Sequence, residues 1–549
     1  MKKLVTFFLV IAMIFAMSIP AFAADATLKI NDSTGKKYVG YQLLTLSISL
    51  KAGDTCPEDA GHVDACYNYA YSVNSKYLNI LKEEVFNNGG NYLWGNTKPD
   101  SADKITEVQI KDYFKNQTKQ DGTMRQVADR LYRSIQSATD IAPDRDDLQV
   151  GDNTVAQGYW LFADTTNLTN KNEANSLVII DTMGEGTLTI SPKTALPTIE
   201  KKVKDIEDSE DGDISDNEWV DSADHDFGDK VQFKLTSTVP TNIASYKKYK
   251  MIFHDEMAAG LTVDANSIKV YMYETKHKAD VDTDLNDFMY DVTGKFVAKT
   301  DGLADDCTFE VGCEDIYVIA NDENIPDDVI KTGVTFVVFY EAELNENAVI
   351  GAAGNENKVY LEYSNDAYGT TTGKTEVDIV KVFTYKLVIN KVDSNGNALP
   401  GVKFKLYKKN VHSEAADLYD LVGAELEGVL DGEGNVKLVW EGIDDGDYCL
   451  EESFTPAGYN GMGKVYFSIS AEHDKTKDEP QLTALDGGLL GEGDVATGTI
   501  EEEVVNHTGA ILPETGAIGT IWLIFGGTML IILSAVFMIT RKKMSVYED

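Results

Sequence analysis

The chain has 549 residues, with 90 acidic against 49 basic side chains and a formal net charge of −41. Such an exterior repels nucleic acid and anionic lipid and keeps a crowded exposed protein soluble, so nucleic-acid partners are excluded. Seven histidines show no zinc-ligand spacing and no nucleophile–base set stands out, so neither a metal, another cofactor nor an enzyme in turnover is expected.

Residues 1–23 carry Lys2-Lys3, an apolar stretch over 4–19 and Ala21-Phe22-Ala23, the pattern of a secretory signal peptide cut after Ala23. About 490 residues remain, enough for roughly three domains. Five cysteines in an exported chain permit two disulfides. Local pairs Cys56–Cys66 and Cys307–Cys313 are the economical expectation, leaving Cys449 free.

The first domain, 24–193, mixes strand and helix signals. Gly40-Tyr41-Gln42-Leu43-Leu44 and Gly158-Tyr159-Trp160-Leu161-Phe162 read as strands. Met124, Val127, Leu131 and Ile135 fall at helical spacing behind Thr123, which is placed as an N-cap. Residues 49–121, rich in Asn, Gly and Asp, read as long surface excursions, with His62 a loop residue. The domain closes with Leu188-Thr189-Ile190-Ser191-Pro192-Lys193, an alternating strand ended by Pro-Lys.

The second domain, 194–382, has alternating runs at 230–235 and 334–340 with turn signals between them, which argues an all-β sandwich. Counting by two places three polar residues on apolar faces: Lys201 with Ile199 and Val203, Asp255 with Met251 and Phe253, and Asn357 with Val359 and Leu361. Lys202, Asn355 and Asp229 are the competing positions. A buried lysine is pushed toward the neutral amine and a buried acid toward its protonated form. Such an amine can attack a carboxamide while the acid polarises its carbonyl, releasing ammonia and tying the first strand to the last. The loop 207–218 sets Glu207, Ser209, Asp211, Gly212, Ile214 and Glu218 at EF-hand spacing. Position one is not Asp and no flanking helices are evident, so it reads as a solvated acidic loop.

The third domain, 383–510, runs through Leu387-Val388-Ile389-Asn390-Lys391-Val392-Asp393 and the turn Asn395-Gly396 to Phe404-Lys405-Leu406-Tyr407. Later come Tyr448-Cys449-Leu450-Glu451-Glu452-Ser453 and a closing strand with Val504 and Asn506. Alternation puts Lys391 on one face with Ile389 and Leu387, and Glu452 on one face with Leu450 and Tyr448; Glu451 and Cys449 face the other way. Beyond it lie Leu512-Pro513-Glu514-Thr515-Gly516, an apolar run over 518–540 and the cationic tail 541–549. The run is long enough to span a bilayer, with its cations placed to stay in the cytoplasm.

Motif, span and tail in that order resemble the cell-wall sorting signal of Gram-positive surface proteins. The resemblance implies a sortase that cleaves between Thr515 and Gly516, and a precursor held in the membrane before transfer to peptidoglycan. The whole chain resembles the backbone pilins that sortases assemble. On that resemblance Lys193 is the pilus-linking lysine, receiving the Thr515 acyl group of a neighbouring subunit; Ser191 stands where the family's pilin motif has tyrosine, and Gly184 where it has tryptophan. It also implies tandem immunoglobulin-like β-sandwiches, an added helix in the first domain, and two isopeptide bonds: Lys201–Asn357 assisted by Asp255, and Lys391–Asn506 assisted by Glu452. The third domain resembles the B-type repeat of collagen adhesins and pilins, with Glu452 in its E-box and Ser453 for the usual threonine. A monomeric wall-anchored adhesin with the same domains is the alternative, and a host surface ligand is left open.

Overall fold

The computed structural model describes residues 21–22, 25–32, 35–50, 67–95, 97–117, 123–169, 171–183, 187–191, 195–205, 219–280, 289–322, 324–326, 328–410 and 418–509. The signal peptide apart from 21–22, Cys56, Cys66, His62, Gly184, Lys193, the 207–218 loop, the sorting motif and the 518–540 span lie outside the described residues. Among the described residues no helix is long and apolar enough to cross a membrane. The architecture is mostly β-sheet, with sheets packed in layers, and some helix.

In the N-terminal region a large sheet centres on the strand Lys37–Leu50, flanked by Gly158–Asp164 and then Leu177–Asp181. One face packs on a small sheet in which Asp25–Ile30 lies between Gly151–Ala156 and, in parallel, Thr187–Ile190. The other face packs on helices. Thr123–Ser137 buries Met124, Val127, Leu131 and Ile135, as their spacing predicts, although the helix begins at Thr123 itself.

The stretch read as surface excursions is a correction. Its described residues hold the strand Tyr67–Val73 and the helices Leu78–Asn88, Asn91–Trp94 and Glu107–Lys115. Leu81, Val85, Ile110, Tyr113 and Phe114 from these helices are buried against the sheet. Thr106 and Gln109 form a capping box at the start of Glu107–Lys115, a signal that composition had masked.

The second region is a two-sheet sandwich. One sheet runs Trp219–Val220, Glu200–Lys204, Lys230–Thr238, Val334–Leu344, Leu261–Glu274 and Tyr290–Asp291. The other runs Ser222–Asp224, Asp378–Phe383, Asn355–Ser364, Met251–Met257, Phe309–Cys313 and Val297–Lys299. Alternation along Lys230–Thr238 buries Val231, Phe233 and Leu235 between them.

The third region packs the sheet Lys437–Ile443, Tyr385–Asp393, Thr499–Thr508 and Tyr459–Asn460 on a five-stranded sheet. The latter carries Tyr419–Glu427, Lys403–Lys409, Gly446–Phe454, Val465–His473 and Leu482–Asp486. Contact between the second and third regions is close. Gly442, at φ +70°, leaves no room for a side chain, since a Cβ there would meet the Phe227 ring at 1.9 Å.

The expected Cys307–Cys313 disulfide is also corrected, because both are free thiols. Cys313 sits with Phe309 and Val311 on the core face of its strand, whereas Cys307 lies in the preceding loop with its sulfur beside His254. The two side chains serve opposite faces of one sheet. Cys449 is a free thiol and buried.

Candidate functional site

The first cluster spans the sandwich of the second region. Lys201, on Glu200–Lys204, leaves one sheet and ends against the facing sheet, where Asp255 and Asn357 lie on neighbouring strands with Asn357 paired to Met257. Lys201, Asp255 and Asn357 are all fully buried. The Lys201 Nζ donates to Asp255 Oδ2 at 2.6 Å and also to Asn357 Oδ1. Tyr340 closes the ring: its hydroxyl donates to Asp255 Oδ2 at 2.9 Å and accepts from Asn357 Nδ2 at 2.9 Å. Phe233 stacks on Tyr340, with ring centroids 5.2 Å apart, and seals the side toward the core.

Burial dominates the electrostatics. It lowers the Lys201 amine to about 8, against the opposing pull of Asp255. It raises the Asp255 carboxyl above its ordinary range, with Lys201 acting the other way. Asp255 Oδ1 has no hydrogen-bond partner and is the oxygen free to carry a proton. A fully buried charged pair is costly to leave in place, and conversion to neutral partners relieves that cost.

The competing residues have other work. Lys202 pairs with Asp221, the buried Asn355 fastens the 349 loop through Val349, and Asp229 is half exposed beside His225. Tyr340 was not singled out in the sequence, although Val334, Phe336, Val338 and Tyr340 share one alternation and place it inward. One expectation needs correcting: Asn357 is not on the last strand of this sandwich, because Thr372–Lys374 and Asp378–Phe383 follow it.

The second cluster is built differently. Lys391 on Tyr385–Asp393 and Asn506 on Thr499–Thr508 lie on adjacent parallel strands of one sheet, with Lys391 in register with Val504. Glu452 reaches across from the facing sheet: its Oε1 accepts from Asn506 Nδ2 at 2.7 Å and its Oε2 from the Met462 amide at 2.6 Å. The Lys391 Nζ donates to the carbonyls of Val504, at 2.8 Å, and Val392, at 3.1 Å. Asn506 Oδ1 is buried without a partner. Burial lowers the Lys391 amine to about 8, opposed by Glu452. Glu451 faces outward, where it takes the Tyr407 hydroxyl and Lys464.

Comparison with known proteins adds two family matches. Residues 505–545 match the LPXTG cell wall anchor motif, and residues 385–481 match SpaA, a prealbumin-like fold domain. The chain carries a cell wall anchor. It is 25% identical over 291 residues to the trypsin-resistant surface T6 protein of Streptococcus pyogenes serotype M6, covering 50% of this chain and 46% of that relative. The match thus spans less than half of the relative's length.

Among solved structures it resembles the T6 backbone pilin of serotype M6 S. pyogenes, at 16% identity and TM-score 0.45, covering 88% of this chain and 99% of that one. It also resembles the major pilin SpaD of Corynebacterium diphtheriae, at 14% identity and TM-score 0.39, covering 89% and 98%. A third is BcpA, the major pilin subunit of Bacillus cereus, at 16% identity and TM-score 0.36, covering 68% and 93%.

Proposed function

We propose that the chain is a structural backbone subunit of a covalent, sortase-polymerised surface pilus, held to the cell wall and stiffened by two internal Lys–Asn isopeptide bonds. The observation that carries this reading is the buried Lys201–Asp255–Asn357 cluster, in a chain that also bears a cell wall anchor motif. An amine, an acid and a carboxamide in contact, out of water, are the reactants of an amide exchange.

In that exchange the neutral Lys201 Nζ attacks Asn357 Cγ while protonated Asp255 donates to Asn357 Oδ1. The Nζ–Cγ bond forms, the Cγ–Nδ2 bond breaks, and a proton passes from Nζ through Asp255 to the departing Nδ2. Ammonia leaves and Asp255 ends as it began. Tyr340 holds both partners in line from the facing sheet. In the third domain, rotation of the Asn506 carboxamide would present Oδ1 to Glu452 and open Cγ to Lys391. Each cluster acts once on its own chain.

At the polymer level, a sortase takes the chain as an acyl group at Thr515. Lys193 of a neighbouring subunit receives it, and the last subunit passes to peptidoglycan. The test is a boiled-detergent gel of wall extract from wild type and Lys193→Ala. A high-mass ladder that collapses to monomer in the variant is the expected result. A ladder in both would move the linkage to another lysine, and a single band in both would favour a monomeric wall-anchored adhesin.

A further inference from the structure

The strand that supplies Asp255 to the core presents His254 on its other side, where four metal-ligating groups converge. His254 is cross-strand partner to Glu310 on Phe309–Cys313, and the preceding loop brings Asp305 and Cys307 to the same place. His254 Nδ1 lies 3.1 Å from Asp305 Oδ2, 3.5 Å from Glu310 Oε1 and 3.9 Å from Cys307 Sγ. One donor atom from each of the four falls within 4.8 Å of all the others. A tetrahedral ion with Zn–N and Zn–O near 2.0 Å and Zn–S near 2.3 Å needs donor separations of about 3.3–3.6 Å. The separations from His254 Nδ1 to the two carboxylates fall near that range, and the sulfur would have to move inward to reach it.

Neighbouring residues orient the quartet as a ligand set is oriented. The other imidazole nitrogen, Nε2, faces Glu362 Oε2 at 3.3 Å, the carboxylate–histidine pairing that fixes a metal ligand's tautomer. A neutral imidazole donating from Nε2 would turn Nδ1, as an acceptor, toward two carboxylates, and a cation between them would relieve the repulsion. Tyr360 stacks on the imidazole at 4.5 Å and donates its hydroxyl to Asp305, fixing both groups. His254 and Glu310 are buried, whereas Cys307 and Asp305 are partly open to a cavity of about 230 Å³ that gives a route in. Two cations ion-pair with the cluster from outside, Lys299, 3.7 Å from Glu310, and Lys374, 3.9 Å from Asp305, while Glu256, Asp306 and Lys358 line the same cavity. Both ion-pairing lysines are more than a third exposed or close to it, so neither fills the centre.

We propose that His254, Asp305, Cys307 and Glu310 form a binding site for a divalent transition-metal ion of borderline softness, Zn2+ above all. The sulfur and imidazole donors argue against Ca2+ and Mg2+, which take all-oxygen shells. The Cys307 thiol, raised to about 12 by burial and Asp305, gives up its proton to solvent as the sulfur binds the ion. The ion would clasp the 305–307 loop to the strand that carries Asp255, whose carbonyl already accepts from the Thr308 amide at 2.6 Å. This site does not depend on the pilus reading.

The test uses the full chain, reduced, in detergent, titrated with Co2+ as a spectroscopic substitute and then with Zn2+. The expected result is a thiolate-to-Co2+ charge-transfer band that saturates at one ion per chain, is lost in Cys307→Ser and is displaced by Zn2+. Glu362→Gln should keep the band and bind about 10- to 100-fold more weakly, as loss of a ligand's orienting partner does. No band in the wild type, or a band that survives in Cys307→Ser, overturns the site. Unchanged affinity in Glu362→Gln also overturns it, because His254 would then not be a ligand.

Discussion

The second and third domains bring the same three residue types together by opposite constructions. In the second, acid and asparagine share a sheet and the lysine crosses the core to them. In the third, lysine and asparagine share a sheet on parallel neighbouring strands, and the acid crosses. A Lys201–Asn357 bond would therefore staple two sheets, and a Lys391–Asn506 bond would tie the first strand of a domain to its last. The difference bears on tension. Among the described residues of the third domain only 507–509 follow Asn506, while in the second the segment from 358 to 383 stays outside the closed loop.

Pulling single molecules by their ends should expose this difference most sharply. The third domain should not lengthen before rupture. The second should give one short extension, on the order of 80 Å, as Asp378–Phe383 and Thr372–Lys374 peel away. In Lys201→Ala the enclosed segment should also pull out and raise the extension to roughly 600 Å. A second domain as inextensible as the third would break the comparison.

Chemistry ranks next. Lys201→Ala removes the attacking amine, so no bond can form in the second domain. Its intact mass should retain one ammonia relative to wild type, with protease resistance lost in the second domain only. Glu452→Ala should retain one ammonia through the third domain alone; if its mass differs from wild type only by the Glu-to-Ala substitution, Glu452 is not the acid. Tyr340→Phe removes one hydrogen bond on each side of the cluster, so the bond should still form, but more slowly in refolding followed by mass. A Tyr340→Phe chain that never loses ammonia would make the tyrosine part of the proton path.

The smallest effect is a pH dependence. In Asn506→Ala no bond can form, and Lys391 keeps an amine whose folded pKa is about 8 against 10.5 ordinarily. Between those values the unfolded chain binds more protons, so stability should rise as pH climbs from about 8 to 10.5. The penalty is fully present below that window. With the proposed bond formed in the wild type the nitrogen would be an amide and this rise should be missing, as denaturant titrations at several pH values would reveal.

Much was readable in one dimension because strands repeat every two residues. The inward placement of Lys201, Asp255, Asn357, Lys391 and Glu452 followed from parity, and all five are buried, as is Asn506. The Thr123–Ser137 helix was equally plain from its apolar spacing. The helices between 78 and 115 were missed because polar composition outweighed short periodic runs. The Cys307–Cys313 pairing was misjudged because closeness in sequence says nothing about which face of a strand a side chain serves.

By itself the sequence determined which residues leave water, since alternation and apolar spacing are local properties of the backbone. Only the tertiary structure decided which of them meet. Parity assigns a face but not the partner opposite it. The Lys201 contact across the sandwich, the parallel register of Lys391 with Val504, Tyr340 between acid and amide, and His254 beside Glu310 all depend on long-range strand order. That order is set by how whole sheets stack, and no window of neighbouring residues contains it.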